Sequence, residues 1–89
     1  MPIFMVERRF AEELEANADT VDAINRINDD ESVRWLYSFV STDRRKTYCL
    51  YEAQSADAIR RAAVRAELPA DAIVEMGGRL LPDGSSAPV

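Results

Sequence analysis

The residues of this chain that could do chemistry are one cysteine and a few strand glutamates. Cys49 is the only thiol, histidine is absent, and Glu7, Glu52 and Glu75 lie in runs rich in β-branched and aromatic residues. Without histidine, a Cys-His pair or a Ser-His-Asp triad is excluded. A thiolate and carboxylates can bind a divalent metal, and a glutamate can act as a general base. Glu7, Cys49 and Glu52 are therefore the predicted metal ligands.

The same residues also have structural interpretations, which stay open at this point. A cysteine in the middle of a strand usually behaves as a small buried hydrophobe. We expect the first and third strands to be adjacent and parallel, with Glu7 and Glu52 near their C-terminal ends. The two carboxylates could then share a proton, bind a hard cation, or pair with Arg8, Arg9 or Arg34.

The composition limits the class of protein. The chain has 89 residues, 47% of them apolar, and a net charge of −5. This length suits one domain with a thin core, and the negative charge argues against nucleic acid and anionic membranes as partners. No apolar run is long enough for a membrane span, and the first residues do not form a signal peptide. With one cysteine and no disulfide, we expect a cytoplasmic protein.

The apolar pattern predicts the order strand–helix–strand–strand–helix–strand. The first helix follows an acidic connector, is capped by Asp19 or Thr20, and ends in the run NDDE. Ser55 caps the second helix, and Pro69 stops it. The predicted strands are residues 3–10, 33–40, 46–53 and 72–76.

This order is that of an α+β, ferredoxin-like split βαβ sandwich. It places two helices on one face of a four-stranded antiparallel sheet and leaves the other face bare. Phe4 and Val6 would share one face of the first strand, opposite Ile3, Met5 and Glu7. Residues 1–78 form the predicted domain, and residues 79–89 a flexible tail. A short fifth strand at residues 80–81 is compatible with the pattern.

The hairpin at residues 33–53 has two alternative registers. A turn of odd length pairs Tyr37 with Cys49 and Trp35 with Tyr51, whereas a turn of even length pairs Tyr37 with Leu50. We favour the first register, in which Trp35, Tyr37, Cys49 and Tyr51 face away from the helices. The side chains gathered under the helices would then be Phe4, Val6, Leu36, Val40 and Leu50.

The bare aromatic face predicts a homodimer. An exposed apolar face of this size marks an interface, and two such sheets packed together form a dimeric α+β barrel. The interface is either a plain dimer core or encloses an inter-sheet cavity. The predicted ligand-binding residues are Glu7, Trp35, Tyr37, Cys49, Tyr51 and Glu52.

Several segments together resemble a known family. VERRF, INDDESVRWLYSFVS, KTYCLYEA, AIRRAA and LPAD are similar to the small bacterial domain-of-unknown-function family often described as nickel-binding-protein-like. The resemblance covers residues 3–76 and implies a ferredoxin-like fold, a homodimer and, for some relatives, surface-bound nickel. Many relatives have histidine where this chain has Tyr37, and glycine where it has Glu67. A phenol replaces imidazole poorly as a nickel ligand.

These observations predict a small homodimeric binding protein. Its ligand would be a divalent metal such as nickel, or a small molecule, at the dimer surface or in the inter-sheet cavity. One alternative is an isomerase or cofactor-free oxygenase that uses Glu7 or Glu52 as the base and Tyr37 as a hydrogen-bond donor. Another is a purely structural or regulatory dimer.

Overall fold

The secondary structure follows the predicted order. The computed structural model describes residues 1–89. Its main elements are β1 Ile3–Arg9, α1 Ala18–Asp30, β2 Arg34–Val40, β3 Lys46–Glu52, α2 Ala56–Arg65 and β4 Ala72–Met76. Each of these strands lies within one residue of its predicted bounds. The α+β, ferredoxin-like fold is confirmed.

The four strands form one antiparallel sheet in the order β2-β3-β1-β4. β1 therefore lies in the interior of the sheet and pairs with both β3 and β4. The expectation that β1 and β3 run parallel is wrong. A helix crossover returns β2 parallel to β1, and the hairpin then reverses β3, so β3 must run against β1.

The core lies between the sheet and the helices. Phe4 and Val6 of β1 pack in one buried cluster with Ala58 and Ile59 of α2. Strict alternation along β1 produces this burial, since every second side chain of a strand points to the same face. The same alternation places Arg8 on the helix-facing side, where it is buried.

The helix starts are set by side-chain caps. Asn17 caps α1, because its side-chain oxygen accepts a 2.9 Å hydrogen bond from the Thr20 backbone N–H. The predicted caps, Asp19 and Thr20, instead lie in the first turn of the helix. The predicted cap of α2 is confirmed, since the Ser55 hydroxyl accepts from the Ala58 backbone N–H. Both caps satisfy a backbone donor that the helix itself cannot pair.

The ends of both helices use left-handed residues that are not glycine. At the end of α2, Glu67 has a φ angle of 56°. The backbone N–H of Leu68 donates to the Ala63 carbonyl, and that of Glu67 donates to Val64, which is the Schellman pattern. Ser32, with a φ angle of 58°, takes the equivalent position after α1. A side chain at such a position carries steric strain that glycine avoids.

The hairpin of β2 and β3 combines the two predicted registers. Trp35 pairs with Tyr51, as predicted, but Tyr37 pairs with Leu50 instead of Cys49. A bulge between Trp35 and Tyr37 inserts one unpaired residue into β2 and shifts the register. The predicted single register is therefore wrong over most of the hairpin.

The pairing of β3 with β1 decides which face of the hairpin meets the helices, since Tyr51 and Cys49 lie across from the buried Phe4 and Val6. Cys49 and Tyr51 belong to the core cluster, and Trp35 packs against it. The prediction that these three side chains face away from the helices is wrong, and only Tyr37 lies on the bare face. Leu50 was predicted under the helices, but its pairing with Tyr37 places it on the bare face.

The last residues form a small separate hairpin. β5 Arg79–Leu80 pairs with β6 Ser86–Ala87. Gly84 turns the chain with a φ angle of 85°, a conformation that suits glycine. The short strand expected at residues 80–81 starts one residue earlier, and the segment predicted as a flexible tail contains this hairpin. Neither helix of the fold has the length and apolar composition that crossing a membrane requires.

Candidate functional site

A cavity of about 250 Å³ lies between α1 and the helix-facing side of the sheet. Its walls come from α1, from the connector before it, from β1, β2 and β3, and from the segment after α2. Most of the lining is apolar, and the large apolar side chains are Phe10, Leu14, Val21, Ile24, Trp35, Val40 and Leu68. The cavity belongs to a single chain.

The position of α1 explains why the space is not filled. The apolar stripe of this helix is narrow, and Val21 and Ile24 remain only half-buried. The connector is held over the sheet by the turn between β2 and β3. The Leu14 backbone N–H donates a 2.7 Å hydrogen bond to the Arg44 carbonyl, and the Arg44 side chain donates back to the Leu14 carbonyl at 3.1 Å. These two bonds join the connector, which forms one wall of the cavity, to the turn between β2 and β3.

Arg8 is the only charged residue that lines the cavity. Its side chain donates one hydrogen bond to the Pro69 carbonyl and a second, of 3.1 Å, to the Tyr51 hydroxyl. Arg8 is only 4% exposed, yet it takes part in none of the ion pairs of the chain. A guanidinium has more N–H donors than these two bonds use. The cavity wall therefore carries a buried positive charge without a counter-charge.

Tyr51 supplies the second polar group near this charge. Burial raises the pKa of Tyr51, although the neighbouring Arg8 cation acts in the opposite direction. The phenol is therefore protonated at neutral pH. Its oxygen accepts the hydrogen bond from Arg8, so its proton is left to donate.

Four other side chains of the wall with polar groups form two hydrogen-bonded pairs. The Cys49 thiol donates to the Thr47 hydroxyl at 3.5 Å, and the Trp35 indole N–H donates to the Ser38 hydroxyl at 2.9 Å. Cys49 is a free and buried cysteine. The cavity can thus bind an apolar molecule with one polar end directed at Arg8.

The predicted carboxylate ligands Glu7 and Glu52 lie on the opposite face of the sheet, whereas the exposed Glu75 pairs with the helix-facing Phe4. Glu7 forms ion pairs with Lys46 at 3.0 Å and Arg9 at 3.3 Å. Its hydrogen bond to Lys46 is the largest influence that lowers the pKa of Glu7. A glutamate that acts as a general base at neutral pH needs a raised pKa, so these contacts do not prepare Glu7 for that role.

Glu7 and Glu52 are at opposite ends of the antiparallel pair of β1 and β3. Glu7 lies across from Tyr48, and Glu52 lies across from Ile3. Glu52 has its own ion pair, with Arg34 at 3.7 Å. The two carboxylates therefore do not share a proton or a cation within one chain.

The bare face of the sheet is apolar between these charged ends. Phe39 is 60% exposed, and Tyr37 and Val74 are also exposed. The rings of Tyr37 and Phe39 meet edge to face, with their centroids 5.6 Å apart. Leu50 lies beside them and is buried by its neighbours.

The six predicted ligand-binding residues are thus divided between two faces. Trp35, Cys49 and Tyr51 line the cavity, whereas Glu7, Tyr37 and Glu52 lie on the bare face. The structure does not bring the predicted metal ligands Glu7, Cys49 and Glu52 together.

Arg8 was not predicted as a site residue, although the sequence contains a signal for it. Phe4 and Val6 precede it at two-residue spacing, so alternation alone directs Arg8 towards the core. An arginine that continues an apolar face is informative, because charged side chains are rarely buried without a partner.

Two other hollows do not form comparable sites. A broad one, of about 620 Å³, lies against the C-terminal hairpin and has no buried charge in its lining. The other lies on α2, where Arg61 and Arg65 are already paired with Glu31. Neither offers an unpaired buried group to a ligand.

Comparison with known proteins identifies the family. A family model described as nickel responsive protein SCO4226-like matches residues 4–76. The chain belongs to this family. The crystal structure of SCO4226 from Streptomyces coelicolor A3(2) is similar, with a TM-score of 0.65 and 26% sequence identity. The alignment covers 84% of this chain and 95% of that one. The comparison with curated proteins gives no match.

The residues of this member of the SCO4226-like family do not fit a nickel site within one chain. No three residues among cysteine, aspartate and glutamate are grouped so that they could hold a metal ion, and histidine is absent. Imidazole suits nickel as a protein ligand, whereas carboxylates suit magnesium, calcium and manganese. Glu7 is paired with Lys46 and Glu52 with Arg34, and the Cys49 thiol is on the other side of the sheet.

Proposed function

We propose that this SCO4226-like protein binds a small molecule in the cavity beneath α1 and acts as a homodimer. The observation that carries the proposal is the buried Arg8, which lines an apolar cavity without an acidic partner. Ligand sites in proteins are mostly apolar hollows with a few convergent polar groups, and this cavity has that composition.

The homodimer is supported by the bare face of the sheet. Tyr37, Phe39 and Val74 form an exposed apolar surface, which a soluble domain of this size usually covers. We commit to a second copy of the chain as the partner. An ion pair borders the surface at each end, one formed by Glu7 and the other by Glu52, so both rims carry positive and negative side chains. A two-fold interface, in which the same surface meets itself, is compatible with such a mixed rim.

The two parts of the proposal use opposite faces of the sheet. The cavity remains accessible when the bare face is covered, because α1 and its connector lie on the other side. Dimer formation would also stabilise a domain with a thin core, including the sheet that carries Arg8 and Tyr51.

Native mass spectrometry of the untagged protein tests both parts. We expect a dimer that retains a small organic molecule from the expression host or takes one up from a ligand panel. A dimer that binds only added nickel, and no organic molecule, would overturn the cavity as the site of function. A monomer at physiological concentration would overturn the homodimer.

A pair of matched variants locates the dimer interface. Phe39→Asp places a charge on the bare face, and we expect it to yield monomers in size-exclusion chromatography with light scattering. Val64→Asp is the control, because Val64 is 77% exposed on α2, away from the sheet surface. A Phe39→Asp variant that stays dimeric would contradict the proposed interface.

A further inference from the structure

We propose that the ligand of the cavity is a small amphipathic carboxylate, whose carboxylate binds Arg8 and Tyr51 and whose apolar body lies against α1. This inference rests on the proposed function, since it names the class of molecule that the cavity would bind.

The charge balance of the cavity gives the first argument. Arg8 is the only charged residue in the lining, and it is 4% exposed. An isolated buried cation is costly unless an anion accompanies it. No aspartate or glutamate lines the cavity, so the protein does not supply that anion itself. A carboxylate ligand would supply it.

The arrangement of donors gives the second argument. Two hydrogen bonds, to Pro69 and to Tyr51, hold the guanidinium in place. The remaining N–H groups of Arg8 and the hydroxyl proton of Tyr51 are then donors without an assigned acceptor. Guanidinium groups bind carboxylates through paired hydrogen bonds, and a phenol can donate a further one.

The size and lining of the cavity define the rest of the ligand. A volume of about 250 Å³ is below the usual range for drug-sized ligands, about 300–1,000 Å³. Short fatty acids and single-ring aromatic acids have a suitable size. Inorganic phosphate is a poor match, because it carries more negative charge than one guanidinium can neutralise. The apolar side chains of the wall, such as Leu14, Val21 and Ile24, would not stabilise the remaining charge. A metal cation would be repelled by Arg8.

The single tryptophan provides the measurement. Trp35 lines the cavity and is the only tryptophan of the chain, so its fluorescence reports on ligand entry without a label. Hexanoate and benzoate would be titrated against hexanamide and benzamide, which have nearly the same shape but no charge. We expect the acids to bind more than about tenfold more tightly than the amides, a difference of about 1.4 kcal/mol.

Two arginine variants test whether Arg8 causes the preference for acids over amides. Arg8→Met should remove the preference for acids over amides. Arg26→Met removes an equal charge from an exposed position on α1 that forms no ion pair, and it should leave the preference unchanged. Tyr51→Phe is the second probe, for use if Arg8→Met fails to fold. It should weaken binding of the acids more than binding of the amides, because a hydrogen bond to a charged carboxylate is stronger than one to an amide carbonyl.

The outcomes separate the two proposals. Equal binding of acids and amides would overturn the carboxylate class and leave the small-molecule cavity standing. Tight acid binding that neither Arg8→Met nor Tyr51→Phe weakens would overturn the assigned head-group site. If neither acids nor amides change the Trp35 signal or bind in calorimetry, the proposed function and the inference both fail.

Discussion

Arg8 and Tyr51 meet across two antiparallel strands, with the Nη2 atom of Arg8 donating a 3.1 Å hydrogen bond to the Tyr51 hydroxyl. The guanidinium also lies 5.8 Å from the centroid of the Tyr51 ring. Both residues are buried at the wall of the same cavity. This pair places a positive charge in the interior and gives it only neutral neighbours.

The first prediction concerns the stability cost of that charge. We expect Arg8→Met to leave the free energy of unfolding unchanged or raise it by about 1 kcal/mol, because an apolar side chain replaces a buried cation without an acidic partner. Urea denaturation of the ligand-free protein measures this. A loss of more than about 2 kcal/mol would show that the bonds of Arg8 to Pro69 and Tyr51 hold the fold together. Arg8 would then be a structural residue.

The second prediction concerns the left-handed residue that ends α2. Glu67→Gly should stabilise the protein by about 0.5–1 kcal/mol, because glycine adopts a φ angle of 56° without the strain of a side chain. Thermal unfolding followed by circular dichroism measures the change. Ala66→Gly is the control, since Ala66 has right-handed helical geometry. That variant should destabilise the protein, and a stabilising effect there would contradict the explanation.

The third prediction concerns a buried amide in α1. The Nδ2 atom of Asn28 is buried and has no hydrogen-bond partner. Asn28→Leu should therefore raise the free energy of unfolding by about 1 kcal/mol, since it removes an unpaired buried donor. Asn25→Leu, at an exposed position of the same helix, should give no such gain. An equal gain from both variants would point to helix propensity as the cause.

The fourth prediction concerns acid sensitivity at the contact between the helices. Hydrogen bonds from Arg65 and then Arg61 lower the pKa of Glu31 below its ordinary value of 4.5. A carboxylate with a lowered pKa in the folded state stabilises the protein above the unfolded pKa. That contribution disappears as the pH falls from about 4.5 through the lower folded-state pKa.

Glu31→Gln should accordingly reduce stability at pH 7 and flatten the decline of stability below pH 4.5. Denaturation at a series of pH values measures both effects. Glu12→Gln is the control, because Glu12 is exposed and forms no ion pair. If the wild type and Glu31→Gln lose stability in parallel on acidification, the ion pairs with Arg61 and Arg65 do not cause the acid sensitivity.

Much of the fold could be predicted from local patterns. The alternation of β1 separates Phe4 and Val6 from Ile3 and Met5, and the structure has the same separation. The order of the elements and the cap at Ser55 were also predictable. These features depend on residues close together in the sequence, so a short segment contains the information that determines them.

The candidate site was predicted only in part, because the face of the hairpin is set by its pairing with β1, where Tyr51 and Cys49 lie across from Phe4 and Val6. Trp35, Cys49 and Tyr51 were recognised as site residues but assigned to the wrong face. The bulge in β2 explains a different part of the outcome, because it places Tyr37 on the face opposite to that of Trp35. The register against β1 depends on contacts between segments that are distant in the sequence, and the hairpin sequence does not contain those contacts.

The sequence by itself determined the family, the ferredoxin-like order of elements and the absence of any histidine chemistry. The tertiary structure decided that Glu7, Cys49 and Glu52 do not meet, and that Arg8 and Tyr51 do. The physical reason is that a ligand site requires side chains from several strands to converge. That convergence depends on register and on helix position, which are fixed by packing across the whole domain and not by the spacing of residues within one segment.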